Sequence, residues 1–208
     1  MINHQFHNRT MKFSNALTIL VAVVLSISAA FAQSGFEGVI TFRTTNAAVN
    51  ETATVAWSHK KGQYLMEFDS KAGDQHLTYS MIMGTNDGTI FSKSDKGTQE
   101  ISGITGEEMF TTAKFVRKTN TTENGYNCEM LMFKSNGNDL TYWMTSDIRI
   151  GYSHLPKVVR NNMPNLAGIS NGFPLKMELR GPDGTLLKSQ EVVSVVESKV
   201  DDSKFDRK

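Results

Sequence analysis

Short runs in which apolar and polar residues alternate recur along the chain after residue 35. The clearest run is Phe173–Arg180, with the sequence FPLKMELR, where nearly every second residue is apolar. Because successive side chains of a strand point to opposite faces, this period of two predicts strands with one buried face. Strands are predicted in this way over Phe36–Arg43, Thr52–His59, Gln63–Asp69, Gln75–Met83, Thr89–Ser92, Ala113–Lys118, Tyr126–Lys134, Asp139–Thr145, Phe173–Arg180 and Thr185–Val196.

Dipeptides of the Asn-Gly or Asp-Gly type separate many of these runs. Both residues readily adopt positive φ, which the two-residue loops of β-hairpins require. Because hairpins join neighbouring strands in antiparallel order, the chain is expected to be mainly β with an antiparallel sheet. The dipeptides begin at Asp87, Asn124, Asn136, Asn171 and Asp183.

Two stretches predict short helices. Thr105–Glu108 has the spacing of a capping box. Leu155–Met163 has apolar residues at helical spacing and is followed by Pro164, which stops a helix. No internal repeat, low-complexity tract or linker interrupts the chain. One β-rich domain over residues 33–208 is therefore expected.

Residues 1–32 have the order of a cleaved secretory signal peptide. Arg9 and Lys12 precede an apolar run over Ala16–Ala32, which ends in a small-x-small cleavage site, AFA. This run is shorter than the ~20 apolar residues that span a bilayer, so cleavage after Ala32 is expected rather than a membrane anchor. The mature domain is expected to be exported, either to the periplasm or out of the cell, with no stable membrane anchor.

The runs on either side of Asn136 can be paired residue by residue. A two-residue loop there places position i opposite position 273 − i. Both faces of the resulting hairpin are apolar, whereas a sheet with one solvated face has apolar residues on the other face only. Either another part of the chain or a ligand is therefore expected to cover the second face. The two faces carry Cys128, Met130, Met132, Thr141 and Trp143, and Leu131, Phe133, Leu140, Tyr142 and Met144.

Methionine is the residue whose placement suggests a function. Nine of the 11 methionines follow the predicted cleavage site, and several recur two residues apart on predicted strands. Met side chains are flexible and polarisable, so they either fill an irregular core or line an adaptable apolar surface. The second alternative predicts a concave, ligand-binding sheet face formed by Met66, Phe68, Met81, Met83, Met130, Met132 and Trp143.

Composition and motifs exclude several classes of function. The chain carries 22 Lys and Arg against 21 Asp and Glu, so no basic surface for nucleic acid is expected. Its one cysteine, Cys128, allows no internal disulfide and is expected to be a buried apolar residue. His59, His76 and His154 do not have the spacing of metal ligands, and no nucleotide-binding motif or nucleophile elbow occurs. No metal, cofactor or catalytic residue is therefore predicted.

Five segments, in this order and spacing, resemble an uncharacterised family of exported Gram-negative envelope proteins, classed as a domain of unknown function. The resemblance spans most of residues 36–205. In that family a Pro-containing tail usually follows the final Phe, whereas Asp206 follows here, so the last segment is expected to be frayed or truncated. The segments are Phe36–Phe42, Gly125–Cys128, Tyr142–Met144, Gly172–Leu175 and Ser203–Phe205.

More remotely, the chain resembles the LolA-like lipoprotein carriers of the periplasm. This resemblance implies a half-barrel, a strongly curved and incomplete antiparallel barrel in which helices plug a hydrophobic concavity that receives lipid. A lipid or a lipoprotein is the partner that it implies. The step from fold to ligand is an analogy, and it carries no catalytic residues across.

The expected function is that of an exported, non-catalytic binding protein that holds a lipid or lipoprotein acyl chain on its concave face. Two alternatives remain open. An envelope interaction or scaffold protein would have a fully packed core and an exposed apolar patch or strand edge. A hydrolytic enzyme would need polar groups that converge around one of the histidines. The oligomeric state stays open.

Overall fold

Each predicted strand has a counterpart in the structure, and all of them belong to one antiparallel sheet. The structure is a computed structural model that describes residues 35–47, 50–72, 75–86, 89–94, 97–101 and 108–207, and the predicted signal peptide lies outside these ranges. The described strands are β1 (Gly38–Asn46), β2 (Glu51–Lys60), β3 (Gln63–Ala72), β4 (Gln75–Gly84), β5 (Ile90–Ser94), β6 (Gly97–Ile101), β7 (Lys114–Glu123), β8 (Tyr126–Ser135), β9 (Asn138–Thr145), β10 (Phe173–Arg180) and β11 (Leu186–Glu197).

Short helices accompany the sheet. The first follows the predicted capping box, most of which lies outside the described residues, and another forms the centre of the predicted Leu155–Met163 helix. Pro156 starts this second helix, and its carbonyl accepts hydrogen bonds from the amides of Val159 and Arg160 at 2.9 and 3.0 Å. None of the described helices is long and apolar enough to cross a membrane. The helices are α1 (Glu108–Thr111), a 3₁₀ helix at Tyr152–His154, α2 (Lys157–Asn161) and a 3₁₀ helix at Asp202–Phe205.

The sheet departs from the sequence expectation mainly at its edges. β7 runs to Glu123 rather than Lys118, and β6, with the sequence GTQEI, is not among the predicted strands. Both are edge strands, which pair on one side only and bury little apolar surface. Ile101 of β6 and Val116 of β7 are 38% and 51% exposed. Their sequences therefore lack the alternation that identifies the inner strands.

The sheet curves without closing into a barrel. Its strands pair in the order β6-β5-β4-β3-β2-β1-β11-β10-β9-β8-β7. The first six strands form one half and the last five the other, and the pairing of β1 with β11 joins the halves. Register irregularities in the β1–β11, β7–β8 and β9–β10 pairings increase the local twist. The expected half-barrel architecture is confirmed.

The hairpin loops have the backbone conformation that the turn dipeptides predict. Asn124 and Asn136 both have φ of 50°, and the glycine after each has φ of 81°. The β8–β9 register is the predicted one, with positions i and 273 − i opposite each other. Lys61-Gly62 forms a further loop of this kind, with φ of 49° and 77°. The sequence does not predict that loop, because lysine is uncommon at positive φ.

Gly38 permits the close approach of β1 and β11 where the two halves of the sheet join. A Cβ atom at Gly38 would lie 2.1 Å from the carbonyl oxygen of Val196. Because that contact is with backbone, Gly38→Ala is expected to force the strands apart and lower the free energy of unfolding by about 1–3 kcal/mol, measured by chemical denaturation. In the control Gly181→Ala, the nearest atom to the new Cβ belongs to the Asp183 side chain, which can move aside. Equal losses in the two variants would contradict this account of the junction.

The main core lies on the concave face, and an aromatic cluster connects the two halves of the sheet there. The ring of Phe42 on β1 lies 4.8 Å from that of Trp57 on β2 and 6.0 Å from that of Phe173 on β10, between centroids. Phe42 and Phe173 have no exposed surface. Aromatic rings bury large apolar areas, so this cluster stabilises the junction of the halves.

A second, smaller core lies on the outer face of the sheet. Leu65 on β3 and Ile82 on β4 pair across the strands and alternate with residues of the main core. Val200 and Phe205 from the C-terminal segment cover them, and Phe205 is 5% exposed. The expectation that the last segment frays is therefore wrong as far as Phe205, because its ring buries itself on this apolar surface.

Lys60, at the end of β2, holds the C-terminal segment in place. Its ammonium donates to the carbonyl of Val200 at 2.6 Å and lies 2.9 Å from the Asp202 carboxylate and 3.6 Å from the Glu37 carboxylate. Glu37 accepts a hydrogen bond from the Val200 amide at 2.8 Å, and this bond is the main cause of its lowered pKa. The C-terminal segment thus lies on the outer face, and the concave face is left to the helices.

Candidate binding cavity

A cavity of 540 Å³ lies between the concave face of the sheet and the two α-helices. Seven strands form its walls, and side chains of α1, of α2 and of Met163 form its roof. Most of its lining side chains are apolar or aromatic. The cavity, as the term is used below, is lined by Trp57, Met66, Phe68, Tyr79, Met81, Met83, Ile90, Phe110, Tyr142, Val158, Val159, Asn162, Met163, Pro174, Lys176, Met177, Lys188 and Gln190.

The alternation of β3 and β4 brings their methionines and aromatic residues into one wall. The antiparallel register places Met66 directly opposite Met81 and Phe68 directly opposite Tyr79. The rings of Phe68 and Tyr79 are stacked, with centroids 4.5 Å apart and an angle of 5° between their planes. Because side chains two residues apart share a face, the whole row points into the cavity.

The roof consists of apolar side chains from the two short helices. Phe110 of α1 is 3% exposed, and Val158 of α2 is 7% exposed. Met163, which follows α2, is also buried and lines the cavity. Helices this short bury their apolar residues only by packing on another element, and here that element is the concave face of the sheet.

The cavity continues into a smaller space of 290 Å³ toward the far ends of β1, β2 and β3, called the mouth below. Polar side chains line it, among them Thr44, Glu51 and Ser70. Glu51 accepts a hydrogen bond from the Ser70 hydroxyl at 2.6 Å. Apolar side chains, among them Val55 and Leu77, line it as well, and the cavity and the mouth together form one trough. The side chains that line both parts are Trp57, Met66, Phe68, Tyr79, Lys188 and Gln190.

The two lysines of the cavity lining have different surroundings. The ammonium of Lys176 lies 3.2 Å from Glu178 and 3.4 Å from Glu123, and 4.8 Å from the ring centroid of Trp143. Burial alone would lower the pKa of Lys176, but the hydrogen bonds and charges of the two glutamates outweigh it and raise that pKa. Because Trp143 is on the outer face, this ammonium belongs to the outer surface of the sheet.

The ammonium of Lys188 lies on the concave side. It is 5.6 Å from the ring centroid of Phe110, the residue of α1 that roofs the cavity. Tyr79 lies across the trough, where burial raises the pKa of its phenol and the charge of Glu51 adds to the rise. The phenol is therefore neutral at physiological pH. Polar groups of the trough thus include a cation, a phenol and the amides of Asn162 and Gln190.

The structure brings together four of the seven residues predicted from the sequence to bind a ligand. Met66, Phe68, Met81 and Met83 all line the cavity. The remaining three lie on the outer face of β8 and β9. Tyr142, which is next to Trp143 and therefore points to the concave face, lines the cavity. The three residues on the outer face are Met130, Met132 and Trp143.

Side chains of neighbouring strands contact the outer face of the β8–β9 hairpin. The Arg117 guanidinium donates to the sulfur of Met132 at 2.8 Å, and Lys176 lies over Trp143. Cys128 on the same face is 4% exposed, and burial raises the pKa of its thiol. Other side chains of the protein thus cover part of the second apolar face of the hairpin.

Several cavity residues have no signal that singles them out in the sequence. Phe110, Val158 and Val159 reach the cavity from helices, and a distant helix cannot be placed over a strand by periodicity alone. Trp57 could have been found, because it lies in a predicted strand two residues after Val55 and directly opposite Met66 in a hairpin. Lys188 and Gln190 lie on β11, where they alternate with Leu187 and Ser189. This part of the strand has no apolar period of two that would identify its concave side.

The three histidines of the described residues, His59, His76 and His154, have different surroundings. His76 is exposed and pairs with Asp69 at 2.6 Å. His59 is 1% exposed, with Nδ1 2.7 Å from the carbonyl oxygen of Phe36, while Nε2 accepts a hydrogen bond from the Gly62 amide at 3.3 Å. Within the described ranges, no three His, Cys, Asp or Glu side chains come together in a way that could hold a metal ion.

His59 is expected to make folding sensitive to acid. Burial lowers its pKa below the ordinary value of 6.5, and the charge of His154 acts in the same direction, while the hydrogen bond to Phe36 and the charge of Glu37 oppose it. The unfolded chain therefore binds the proton first. Above pH 6.5 His59 is neutral in both states and does not affect the free energy of unfolding. Below pH 6.5 that free energy falls by at most about 1.4 kcal/mol per pH unit.

Urea unfolding of the protein and of His59→Gln between pH 8 and pH 5 measures this contribution. The free energy of unfolding should fall more steeply with acid in the unsubstituted protein than in the variant. The comparison removes the effects of the other titrating groups, which the two proteins share. Equal slopes would show that His59 contributes nothing to acid sensitivity.

A larger depression of 990 Å³ lies on the other side of α2 and is distinct from the cavity. Its rim consists largely of exposed polar side chains from α2 and the loop that follows it. Met163 lines both spaces, so it separates the depression from the cavity. The polar residues of the depression include Ser153, Lys157, Arg160, Asn161, Asn165 and Asn171.

The fold and the cavity define this protein as an open antiparallel half-barrel with helices packed over an apolar concavity. The chain belongs to the family described as "Domain of unknown function (DUF4412)", whose model matches residues 36–207. No curated protein sequence matches the chain.

Several solved structures resemble parts of this fold at low sequence identity. An uncharacterized conserved protein from Thermus thermophilus is 8% identical with a TM-score of 0.49, over 82% of this chain and 83% of that chain. MucB in the Pseudomonas aeruginosa MucA/MucB complex is 11% identical with a TM-score of 0.45, over 84% of this chain and 56% of that chain. LprF from Mycobacterium bovis is 7% identical with a TM-score of 0.38, over 84% and 90%. Likenesses at this level assign no function, which is argued below from the cavity.

Proposed function

We propose that this protein is an exported, non-catalytic carrier that holds the acyl chain of a lipid or lipoprotein in its concave cavity. The observation that carries the proposal is the 540 Å³ space bordered by methionine, aromatic and valine side chains beneath the helices. Its volume falls within the ~300–1,000 Å³ that small-molecule binding sites occupy in proteins.

The packing around the cavity supports a ligand rather than an irregular core. The cavity is open on one side, so a ligand can reach its apolar lining from solvent. Met66, Met81 and Met83 have the length and flexibility to close much of this space, yet the cavity persists between them and the helices. Methionine-rich walls adapt to apolar ligands of different shape. A flexible hydrocarbon chain is the ligand that such a wall suits best.

The cavity also bears on the two alternative functions. A scaffold protein with a fully packed core would have no such space beneath the helices. An enzyme would need a nucleophile or an acid–base pair directed at a substrate. The described lining offers a phenol, two amides and lysine side chains, a set that suits the binding and orientation of a ligand. The polar side chains of the lining therefore fit a carrier function better than a catalytic one.

Export is the part of the proposal that rests on the first 32 residues. Their basic, apolar and small-residue order is that of a cleaved signal peptide. A carrier of acyl chains has a role in the aqueous space of the envelope, because free lipids are insoluble there. The mature protein is expected to begin near Gln33.

Native mass spectrometry of the gently purified protein tests the carrier function. The expected spectrum contains the polypeptide with an added mass of a few hundred daltons, which organic extraction removes and identifies as lipid. The stripped protein should then take up a fluorescent fatty acid. A bare polypeptide mass together with no uptake of the probe would overturn the proposal.

A further inference from the structure

Side chains of β2, β3 and β4 face one another in four successive levels along the trough. The antiparallel register places them directly opposite each other, and every second residue points to the concave face. Apolar and aromatic side chains dominate all four levels, so the apolar floor of the trough continues from the cavity through the mouth. From the end at α2 outward, the levels are Tyr64 and Met83; Trp57, Met66 and Met81; Val55, Phe68 and Tyr79; and Ala53, Ser70 and Leu77.

The first level closes the trough at one end. The Tyr64 hydroxyl donates to the carbonyl of His154 at 2.9 Å, and the Thr85 hydroxyl donates to the same carbonyl at 3.1 Å. The amide of Lys157 donates to the carbonyl of Thr85 at 3.1 Å, so the start of α2 is held against the ends of β3 and β4. Tyr64 and Met83 are at most 1% exposed. A ligand in the cavity therefore meets a buried wall at this end.

The fourth level opens the trough to solvent at the other end. Exposure increases along β4, from the buried Met83 through the half-buried Met81 and Tyr79 to Leu77, which is 59% exposed. Leu77 lines the mouth together with Ala53. An apolar row that begins buried and ends in water is suited to an elongated hydrocarbon that leaves the trough at Leu77.

The four levels also give the trough a defined length. Met83 and Leu77 are six residues apart on β4, and a strand rises about 3.3 Å per residue, so the two lie about 20 Å apart along the strand. The acyl chains of one leaflet fill half of the hydrocarbon core of a bilayer, or about 15 Å. Because chains in a fluid leaflet are not fully extended, the extended chain of a common membrane lipid is longer than this and matches the trough.

We infer that the trough selects unbranched acyl chains by their length and takes a chain of the length of palmitate. The methyl end lies against Tyr64 and Met83, and the carboxyl end lies beside Leu77 at the mouth. This inference rests on the proposed function, since it names the class of chain that the same cavity takes. The head group lies outside the trough, so a free fatty acid and the acylated end of a lipoprotein share the chemistry that is recognised.

Displacement of bound cis-parinaric acid by straight-chain fatty acids, from octanoic to behenic acid, measures the length of the site. Affinity should rise by up to about fourfold for each added methylene group, because each one buries apolar surface in the trough. The rise should end near palmitic acid, since further methylene groups pass beyond Leu77 into water. A rise that continues unchanged to behenic acid, or an affinity that does not depend on length, would overturn the inference.

Leu77→Ser tests the open end. The variant should bind octanoic acid like the unsubstituted protein, because a short chain lies at the closed end. Its affinity for palmitic acid should be about threefold to tenfold lower, since the last apolar contact is lost. Val196→Ser is the matched control, because Val196 is 53% exposed on β11 and does not line the trough. An equal loss in both variants, or a loss for octanoic acid as large as for palmitic acid, would overturn the placement of the open end.

Hexadecanedioic acid tests the closed end without any substitution. It has the length of palmitic acid and a carboxyl group at each end. It should bind about 100-fold more weakly or worse, because its second carboxylate would lie unpaired against the buried side chains of Met83 and Ile90. Equal binding of the two acids would show that the trough is open at both ends and would overturn the inference.

A palmitoylated peptide tests the position of the head group. It should displace the probe as well as palmitic acid does, and its failure to do so would contradict a head group outside the trough. The mass that remains bound in native mass spectrometry, that of a free acid or of an acylated peptide, then identifies the source of the chain. If no fatty acid of any length binds, both this inference and the carrier function are overturned, whereas binding without a preferred length overturns this inference alone.

Discussion

Met81→Trp is expected to weaken fatty-acid binding by about 100-fold while the protein stays folded. Met81 points from β4 into the cavity, directly opposite Met66 of β3. An indole there occupies space that the hydrocarbon would fill. Displacing about four methylene groups, each worth about 0.8 kcal/mol when buried, removes about 3 kcal/mol of binding energy. That energy corresponds to ~100-fold in Kd, which a titration with cis-parinaric acid measures.

Met130→Trp is the matched control for this prediction. Met130 is half-buried on the outer face of β8, opposite Trp143, so the same chemical change falls outside the cavity. Its affinity for the probe should equal that of the unsubstituted protein. Circular dichroism should show that both variants keep the β-sheet. Equal loss of binding in the two variants, or full binding by Met81→Trp, would contradict the assignment of the cavity as the binding site.

Phe42→Ala is expected to lower the free energy of unfolding by about 3–5 kcal/mol. The ring of Phe42 has no exposed surface and contacts Trp57 and Phe173, which lie on strands from the two halves of the sheet. Its removal leaves a void beside the β1–β11 pairing, which joins the two halves of the sheet. Because the halves meet through this pairing, the loss is expected to be cooperative and to appear as a single lowered transition in chemical denaturation.

Phe115→Ala supplies the comparison for the junction. Phe115 lies on the edge strand β7 and is 46% exposed, so its truncation should cost about 1 kcal/mol or less. Both substitutions remove the same atoms. A loss for Phe42→Ala as small as that for Phe115→Ala would show that the aromatic cluster does not hold the halves together.

Local signals in the sequence predict the inner part of the sheet. The period of two in Phe173–Arg180 reproduces β10 residue for residue, and the dipeptide at Asn136 predicts the full register of β8 and β9. Both signals act through nearest neighbours along the chain. Because antiparallel hairpins form between such neighbours, the sequence alone is enough to predict an antiparallel sheet.

The edges of the sheet and the end of the chain lie beyond these signals. β6 buries too little apolar surface to require alternation. Phe205 docks on the outer face only because β3 and β4 present Leu65 and Ile82 there. Such contacts join residues far apart in sequence, and neither partner predicts the other.

The cavity could be predicted only in part for a related reason. The methionine pattern identifies Met66 and Met81, but periodicity shows which residues share a face and not which face is concave. Both faces of the β8–β9 hairpin are apolar, so the sequence does not show which face is concave. The position of Tyr142 in the cavity wall identifies that face in the structure. The roof from Phe110 and the cation of Lys188 depend on how helices and distant strands pack.

Quenching of the two tryptophans by a dibrominated fatty acid tests the central claim most directly. Trp57 lines the cavity, and Trp143 lies on the outer face beside Lys176. Each can be observed alone, in Trp143→Phe and in Trp57→Phe, because the chain has 2 tryptophans. Bromine quenches only at short range. The account predicts saturable quenching of Trp57 and none of Trp143, whereas equal quenching of both, or quenching of Trp143 alone, would contradict it.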